Sequence, residues 1–306
     1  MVGLAAVLPL TVALTASIAF GAAWNPGAPL PRPRSEVAAA VLGSEIAIVG
    51  GFNADGSSSA GVDVYSPARD IWRRLPDLPV AVNHAAAAAA AGQLYVAGGY
   101  SGSLVGTLRR AFVFARGAWR ELPRLPAVRA AAGAAIVGGK LYVVGGVGPL
   151  GLAQRMLVFD IARARWSTVP GPTPRQHLAV TAARGRVYVV GGRRAGYDTN
   201  LRLVESFSPL TGRWRREPPL PSARGGTGAA FASGLIVSVG GEEPEGTIGS
   251  VYGLDIARGR WRTLPSLPTP RHGLGVAAVG RIVYVIGGGT QPGLSVSDAN
   301  ESLVLG

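Results

Sequence analysis

Five arginines recur at one position of a sequence repeat, and all three histidines lie beside that position. Each arginine stands sixteen residues before a Gly-Gly pair, and Val82 alone breaks the series: Arg34, Arg129, Arg175, Arg224 and Arg271. The histidines follow this position within two residues, at His84, His177 and His272. Because guanidinium groups bind carboxylates and phosphates through two parallel hydrogen bonds, the pattern predicts an anion-binding site.

Two alternatives remain open for these residues. A repeated arginine can instead stabilise the fold by bonding a loop carbonyl or a carboxylate such as Glu36. His84 and His177 are equivalent in the repeat, whereas His272 stands one residue earlier and can face the other way along its strand. A three-histidine metal site is the less favoured alternative, and we expect no metal and no other cofactor. Glu242, in the acidic cluster 242–245, is either a general base beside the arginines or part of a solvated loop.

The candidate residues are positioned by a repeat that the tryptophans mark. The six tryptophans are separated by 48, 47, 47, 48 and 47 residues, and a Gly-Gly pair follows each of them after 25 or 26 residues. They are Trp24, Trp72, Trp119, Trp166, Trp214 and Trp261. A fixed period of this size predicts a repeat architecture.

Each repeat contains four segments with the composition of β-strands. A run of small residues, such as 85–91, comes first and fits a crowded innermost strand. A β-branched and aromatic run such as 140–144 precedes each Gly-Gly pair, and a second such run follows at, for example, 156–159. The tryptophan opens the fourth strand. Six units of four strands predict an all-β protein, a six-bladed β-propeller.

The repeat resembles the kelch motif, which consists of a hydrophobic strand, Gly-Gly, a Tyr or Phe, and then Trp. All six units carry it, across residues 24–305, and no tryptophan is followed by the aspartate of a WD40 repeat. The resemblance implies one kelch-type propeller domain over residues 22–306, with four antiparallel strands per blade. Since the chain begins with a fourth strand and ends with a third, we expect residues 22–28 to complete the last blade beside residues 301–305.

The longer loops all emerge on one face of this propeller, where function on a rigid scaffold is concentrated. They are residues 52–61, 100–108, 147–153, 193–203, 242–250 and 289–299. We expect the five arginines to ring the mouth of the central channel on the same face. In kelch propellers this face and this arginine position bind acidic groups, and the resemblance extends that expectation to the five arginines.

Composition excludes several classes of function. The net charge is +13, almost entirely from arginine, which indicates either an anion-binding surface or a GC-rich genome. No nucleic-acid-binding motif accompanies the charge, so we expect no nucleic-acid partner. The chain has no cysteine, which excludes disulfides, thiolate metal sites and the cysteine-linked tyrosine of galactose-oxidase copper chemistry.

The first 23 residues are uncharged, residues 3–20 are mostly apolar, and small residues stand at 19 and 21–23. This pattern predicts a secretory signal peptide, although the usual positive residues are missing. An uncleaved membrane anchor is the alternative, because the segment is about long enough to cross a bilayer. A first strand of the domain is disfavoured. We therefore expect a periplasmic or secreted protein, or one anchored to the membrane and facing outside.

Three functions are compatible with this sequence. The first is a monomeric binding protein that recognises an acidic small molecule, glycan or protein partner at the loop face. The second is an enzyme, since the chain is similar to bacterial six-bladed kelch proteins that include periplasmic sialic-acid mutarotases; the substrate would be a carboxylated sugar for a mutarotase or epimerase. The third is a purely structural role. We favour binding, because no nucleophile–base pair or phosphate loop is visible and a fold does not determine function.

Overall fold

Strands joined by turns and loops make up almost all of the part of the protein that the structure describes. The computed structural model describes residues 23–102 and 106–306, so the predicted signal peptide or anchor at 1–21 lies outside the described residues. Within the described ranges there is one short 3₁₀ helix, Tyr197–Thr199, and no helix there has the length and apolar character needed to cross a membrane.

The first fifteen strands cover the N-terminal half. They are β1 (Trp24–Pro26), β2 (Ala38–Leu42), β3 (Glu45–Val49), β4 (Val62–Ser66), β5 (Ile71–Arg74), β6 (Ala86–Ala90), β7 (Gln93–Ala97), β8 (Tyr100–Ser101), β9 (Gly106–Thr107), β10 (Ala111–Ala115), β11 (Ala118–Glu121), β12 (Gly133–Val137), β13 (Lys140–Val144), β14 (Val147–Gly148) and β15 (Gly151–Leu152).

The remaining strands cover the C-terminal half. They are β16 (Arg155–Asp160), β17 (Arg165–Pro170), β18 (Ala179–Ala183), β19 (Arg186–Val190), β20 (Val204–Ser208), β21 (Arg213–Arg216), β22 (Gly228–Ala232), β23 (Leu235–Val239), β24 (Glu242–Glu243), β25 (Gly246–Thr247), β26 (Val251–Asp255), β27 (Arg260–Leu264), β28 (Gly275–Val279), β29 (Ile282–Ile286) and β30 (Asn300–Val304).

These strands form six four-stranded antiparallel sheets, which are the blades. In order from the inner to the outer strand, the blades are β2-β3-β4-β5, β6-β7-β10-β11, β12-β13-β16-β17, β18-β19-β20-β21, β22-β23-β26-β27 and β28-β29-β30-β1. Three two-stranded hairpins, β8-β9, β14-β15 and β24-β25, lie in loops that leave the second strand of a blade. The predicted six-bladed propeller is confirmed.

The innermost strands surround a central channel. Each contacts the innermost strand of the next blade, from β2 through β6, β12, β18 and β22 to β28, and β28 contacts β2. Alanines such as Ala88, Ala135 and Ala230 line the channel and pack between neighbouring blades, which converge here and leave little room for larger side chains.

The first strand closes the ring as predicted. Trp24 pairs with Leu303 and Pro26 pairs with Glu301, so β1 supplies the outer strand of the last blade. Because β1 pairs with β30, the sixth sheet has four strands, as the other five sheets do.

The tryptophans join adjacent blades. Trp166 packs against Phe159 of its own blade, with ring centroids 4.9 Å apart, and its Nε1–H donates to the carbonyl of Pro123 in the preceding blade at 2.8 Å. The other five indoles make the same type of bond to a carbonyl of the preceding blade. They are structural residues, as the repeat predicted.

The Gly-Gly pairs connect the blades near the axis. The amide of the second glycine donates to a carbonyl of the next blade, as Gly99 does to Arg129 at 2.8 Å. Gly98 has a φ of +66°, and a Cβ there would lie 2.1 Å from the same oxygen. Only glycine permits both the conformation and the close approach.

Candidate functional site

The five repeated arginines do not ring the channel mouth, and that expectation is corrected by the structure. Arg129 is 3% exposed and the other four are fully buried within the blades. Each guanidinium donates to the carbonyl of the first glycine in its own blade's pair, as Arg175 Nε does to Gly191 at 2.7 Å. This hydrogen bond connects the loop that carries each arginine to the end of the second strand of the same blade.

Four of the five arginines face a compensating group on the third strand of their blade. In three blades it supplies a carboxylate, forming the pairs Arg34–Asp63, Arg175–Glu205 and Arg271–Glu301, each with an N–O distance of 2.5 Å. In the fifth blade the Arg224 guanidinium lies 4.9 Å from the Tyr252 ring centroid. Burial lowers the pKa of Arg34, Arg129 and Arg224 to about 10, which keeps them charged at neutral pH. These arginines therefore stabilise the blades.

A cavity of about 530 Å³ opens at the loop-face end of the propeller axis. Its floor holds carboxylate and imidazole groups, and its walls include the side chains of Phe52, Tyr100, Tyr197 and Leu294. The walls come from different blades, so the cavity depends on the assembled propeller.

The floor is built on a ring of six equivalent residues, which we call the axial ring. They stand two residues after the arginine position of each blade: Glu36, His84, Ala131, His177, Gly226 and Gly273. Successive members are joined by backbone hydrogen bonds of 2.9 to 3.1 Å, from each amide to the carbonyl of the member before it. The Val37 amide, which donates to Gly273, closes the circle. All six have φ between +50° and +67°.

The rest of the polar floor comes from the residues around the axial ring. Arg193 and Glu242 directly follow the Gly-Gly pairs of the fourth and fifth blades, and Arg193 Nη1 donates to Glu242 Oε1 at 2.6 Å. The Arg193 guanidinium also lies 4.8 Å from the Tyr197 ring centroid. His272 precedes the axial ring by one residue, and its Nδ1 is 3.5 Å from Glu242 Oε2.

Glu36 lies at the centre of these contacts. One carboxylate oxygen is 3.2 Å from His84 Nε2, and the other is 3.2 Å from His272 Nδ1. His84 Nε2 is in turn 3.1 Å from His177 Nε2. Gly273 makes room for this arrangement, because a Cβ there would lie 2.5 Å from Glu36 Oε1. We call Glu36, His84, His177, Glu242 and His272 the His-Glu cluster.

The pKa values of Glu36 and the three histidines shift in different directions. Burial opposes the charge of Glu36, but His84 and the hydrogen bond from His272 outweigh it and hold the Glu36 pKa well below its usual range. Burial lowers the pKa of His84 and, more strongly, that of His177. Burial also acts against charge on His272, yet Glu36 and Glu242 raise its pKa. The opposed shifts of Glu36 and His272 are those of a buried ion pair, which places a carboxylate and an imidazolium at the cavity floor.

The structure thus brings together four of the nine predicted site residues: His84, His177, His272 and Glu242. It also adds two that were not selected. Glu36 was named as a structural partner for arginine, but it occupies the same repeat position as His84 and His177, and this signal could have identified it. Arg193 carried a weaker signal, since it directly follows a Gly-Gly pair as Glu242 does.

Six radial four-stranded sheets surround an axial channel, so the protein is a closed six-bladed β-propeller. Titratable side chains line a cavity at one end of the channel. The model of the KLHDC2/KLHL20/DRC7 Kelch-repeats domain matches residues 123–289, and the Kelch motif matches residues 33–79. The first of these covers more than half of the chain, and the protein belongs to the kelch-repeat family.

Individual relatives are more distant. The chain is 28% identical to Kelch-like protein terF of Aspergillus terreus over 246 residues, which are 75% of this chain and 43% of that protein. It is 36% identical to human Kelch-like protein 33 over 80 residues, 26% of this chain and 15% of the relative. It is 39% identical to the F-box/kelch-repeat protein At1g16250 of Arabidopsis thaliana over 49 residues, 16% and 13% of the two chains. The matches span less than half the length of these relatives.

Proposed function

We propose that this protein is a binding propeller that takes a small ligand, or a side chain presented by a protein partner, into the axial cavity. The observation that carries the proposal is the cavity of about 530 Å³ over the His-Glu cluster. Its volume lies within the range of about 300 to 1,000 Å³ that small-molecule sites occupy. Rigid blades hold the walls in place, so the ligand enters a preformed site.

The lining indicates the chemistry of the ligand. Phe52, Tyr100, Tyr197 and Leu294 favour an apolar or aromatic body, and the His-Glu cluster below them favours one polar end. Among the described residues that line the cavity, Arg193 is the one arginine, and it already pairs with Glu242. Glu36 adds a second carboxylate. His272, whose pKa is raised, offsets the second carboxylate. A neutral polar end is therefore preferred over an acidic one. Burial of the repeated arginines removes the groups on which the expectation of an acidic ligand rested.

A protein partner would approach the same face. Kelch-repeat propellers are typically protein-binding domains, which supports this form of the proposal. Leu150 and Leu294, in loops of this face, are 99% and 60% exposed. A partner that inserts a side chain into the cavity would cover Leu294 in doing so.

A thermal-shift screen of neutral, cationic and anionic aromatic compounds and sugars tests this proposal, using protein pretreated with a chelator. A ligand at about 100 times its Kd stabilises the folded protein by about 2.7 kcal/mol. We expect hits to lose their effect in Tyr197→Ser and Leu294→Ser. They should keep it in Leu150→Ser, a matched exposed leucine outside the cavity. Equal stabilisation of all variants would place binding elsewhere and refute the proposal.

Catalysis on a sugar is the second candidate, because Glu36 and His272 are adjacent groups whose pKa values shift in opposite directions. Such a pair can exchange a proton with a substrate in a mutarotase or epimerase. NMR of anomer interconversion tests this, with sialic acid among the sugars. A rate increase that disappears in Glu36→Gln supports catalysis, and a rate equal to that of buffer eliminates it.

We also propose that the protein is exported and monomeric, on the basis of the apolar residues 1–21 and the self-contained ring. Mass spectrometry of the mature N-terminus after cell fractionation tests the first point. A cleaved chain in the periplasm or medium, or an uncleaved chain in the membrane, supports export. A full-length chain in the cytosol contradicts it.

A further inference from the structure

We propose that Glu36, His84 and His177 bind one divalent transition-metal ion on the floor of the axial cavity. The three residues belong to the axial ring, and their donor atoms lie within 4.8 Å of one another. The proposal goes beyond ligand binding, because the ion would bind whether or not an organic ligand enters the cavity.

The spacing of the donor atoms suits a transition metal. His84 Nε2 is 3.1 Å from His177 Nε2 and 3.2 Å from Glu36 Oε2. Tetrahedral coordination with bonds of about 2.0 to 2.2 Å separates two donor atoms by about 3.4 Å. The donor atoms of Glu36 and His177 are further apart, within 4.8 Å. Side-chain shifts of up to about 1.4 Å would therefore place all three atoms around one ion.

The hydrogen-bond network fixes the tautomer of His84. The Asn83 amide nitrogen donates to Ser58 Oγ at 2.8 Å and to the Gly102 carbonyl at 3.2 Å. Because a backbone carbonyl only accepts hydrogen bonds, the other amide atom, Oδ1, faces His84 Nδ1 at 2.6 Å. His84 Nδ1 must then carry the proton. The opposite nitrogen, Nε2, of a neutral His84 presents a lone pair to Glu36 and His177.

That lone pair faces the carboxylate of Glu36, which is itself an acceptor. A neutral imidazole nitrogen and a carboxylate oxygen 3.2 Å apart repel each other unless a proton or a cation lies between them. His177 adds a second imidazole nitrogen to the same point, while its Nδ1 is buried with no hydrogen-bond partner in the described part of the chain. A single cation satisfies the three inward-facing donor atoms together.

Backbone conformation is a further, independent observation. Glu36, His84 and His177 have φ of +50°, +52° and +51°, a region that costs a residue with a side chain about 1 to 2 kcal/mol. The equivalent residues of other blades are Gly226, Gly273 and Ala131, so the fold itself does not require large side chains here. Backbone strain that is retained at clustered polar residues is typical of functional sites.

The ligand set determines the class of metal. Two imidazole nitrogens and one carboxylate suit Zn²⁺, Fe²⁺ or Co²⁺ and leave coordination positions directed at the cavity for water or a ligand. His272 acts as a positioning residue, since its Nε2–H donates to the Gln291 carbonyl at 3.0 Å while its Nδ1 contacts the second oxygen of Glu36. Glu242 completes the support from the other side of His272.

Metal titration of the full chain tests the proposal. After chelation and dialysis, we expect calorimetry with Zn²⁺ to show one ion per chain, and Co²⁺ to give the visible absorption of a four- or five-coordinate site. Loss of a supporting residue around a metal typically costs about 10- to 100-fold in affinity, so loss of a ligand should cost at least about 100-fold. His84→Asn and His177→Gly are the variants, because Asn and Gly tolerate positive φ.

Matched controls keep the test specific. Asp55→Asn removes an exposed carboxylate of the same face and should leave the affinity unchanged. His272→Gln should lower the affinity by less than His177→Gly does. Wild-type binding by a folded His177→Gly, no stoichiometric binding by the wild type, or loss of binding only in His272→Gln would each overturn the proposal. Unfolding curves from tryptophan fluorescence confirm that each variant is folded.

Discussion

Replacing Arg175 by valine should destabilise the fourth blade strongly, and replacing Glu205 at the same time should restore most of the loss. Arg175 is fully buried and its Nη1 is 2.5 Å from Glu205 Oε2. The second blade shows that the position does not need an ion pair. There Val82 occupies the position of Arg175, and Phe112 occupies the position of Glu205. The equivalence follows from strand pairing, since Phe112 pairs with Val96 and Glu205 pairs with Val189.

The magnitude follows from the burial of the pair. Removing one partner of a buried ion pair typically costs about 3 to 5 kcal/mol, because the remaining charge is left uncompensated. Glu205 is 7% exposed, and after Arg175→Val its remaining donors in the described part of the chain are the backbone amide and hydroxyl of Thr173. Arg175→Val/Glu205→Phe reproduces the pair of the second blade and should lie within about 1.5 kcal/mol of the wild type, since apolar replacement of a buried pair is often neutral. The coupling between the two sites should therefore be at least about 2 kcal/mol.

Urea unfolding followed by tryptophan fluorescence measures these free energies. Arg163→Val is the matched control, because Arg163 forms an ion pair with Asp160 while its side chain is 80% exposed, and it should change stability by less than about 0.5 kcal/mol. If Arg175→Val costs less than about 1 kcal/mol, or if the double variant is as unstable as the two single changes added together, the structural role given to these arginines is refuted.

Three further changes test other parts of the fold. Asp70→Asn should destabilise the protein at neutral pH. The Ala28 amide and the Tyr65 hydroxyl lower the Asp70 pKa, so this stabilisation is lost only as the pH falls through the lowered pKa of the folded state. Melting temperatures across pH check this, and a deficit that does not shrink towards acid pH contradicts it. Gly98→Ala should lower the free energy of unfolding by at least about 3 kcal/mol. Gly117→Ala, at a positive φ but with no atom within 4 Å of the new Cβ, should lower it by about 1 to 2 kcal/mol. Equal losses of stability in urea unfolding would exclude the predicted clash at Gly98. Ala131→Gly should raise stability by up to about 1 kcal/mol, because φ there is +51°, and a lower melting temperature would contradict a strained axial ring.

The fold was predictable because the same sequence pattern occurs in all six repeats. Six tryptophans, six Gly-Gly pairs and the alternation of apolar residues determine strand order and blade number. The position of Trp24, ahead of the first complete unit, also predicted the closure that its pairing with Leu303 confirms. Local signals that are weak in one unit become decisive when six units agree.

The candidate site was predictable only in part, since a repeat position does not give the direction of a side chain. Arg175 was placed correctly at the loop face, yet its long side chain turns back into the blade, where Glu205 and the Gly191 carbonyl compensate its charge. His84 and His177 are short and have positive φ, so they point to the axis instead. The acids on the third strands were the missed signal for burial of the arginines.

Histidine side-chain NMR tests the central claim, that this propeller binds its ligand in the axial cavity. The chain has three histidines, and all three line the cavity, so every imidazole resonance reports on this one site. A compound that stabilises the protein should shift the ¹⁵N signals of at least two imidazoles in proportion to its occupancy. Saturation of the protein with no imidazole signal moved would show that binding occurs elsewhere and would contradict the account.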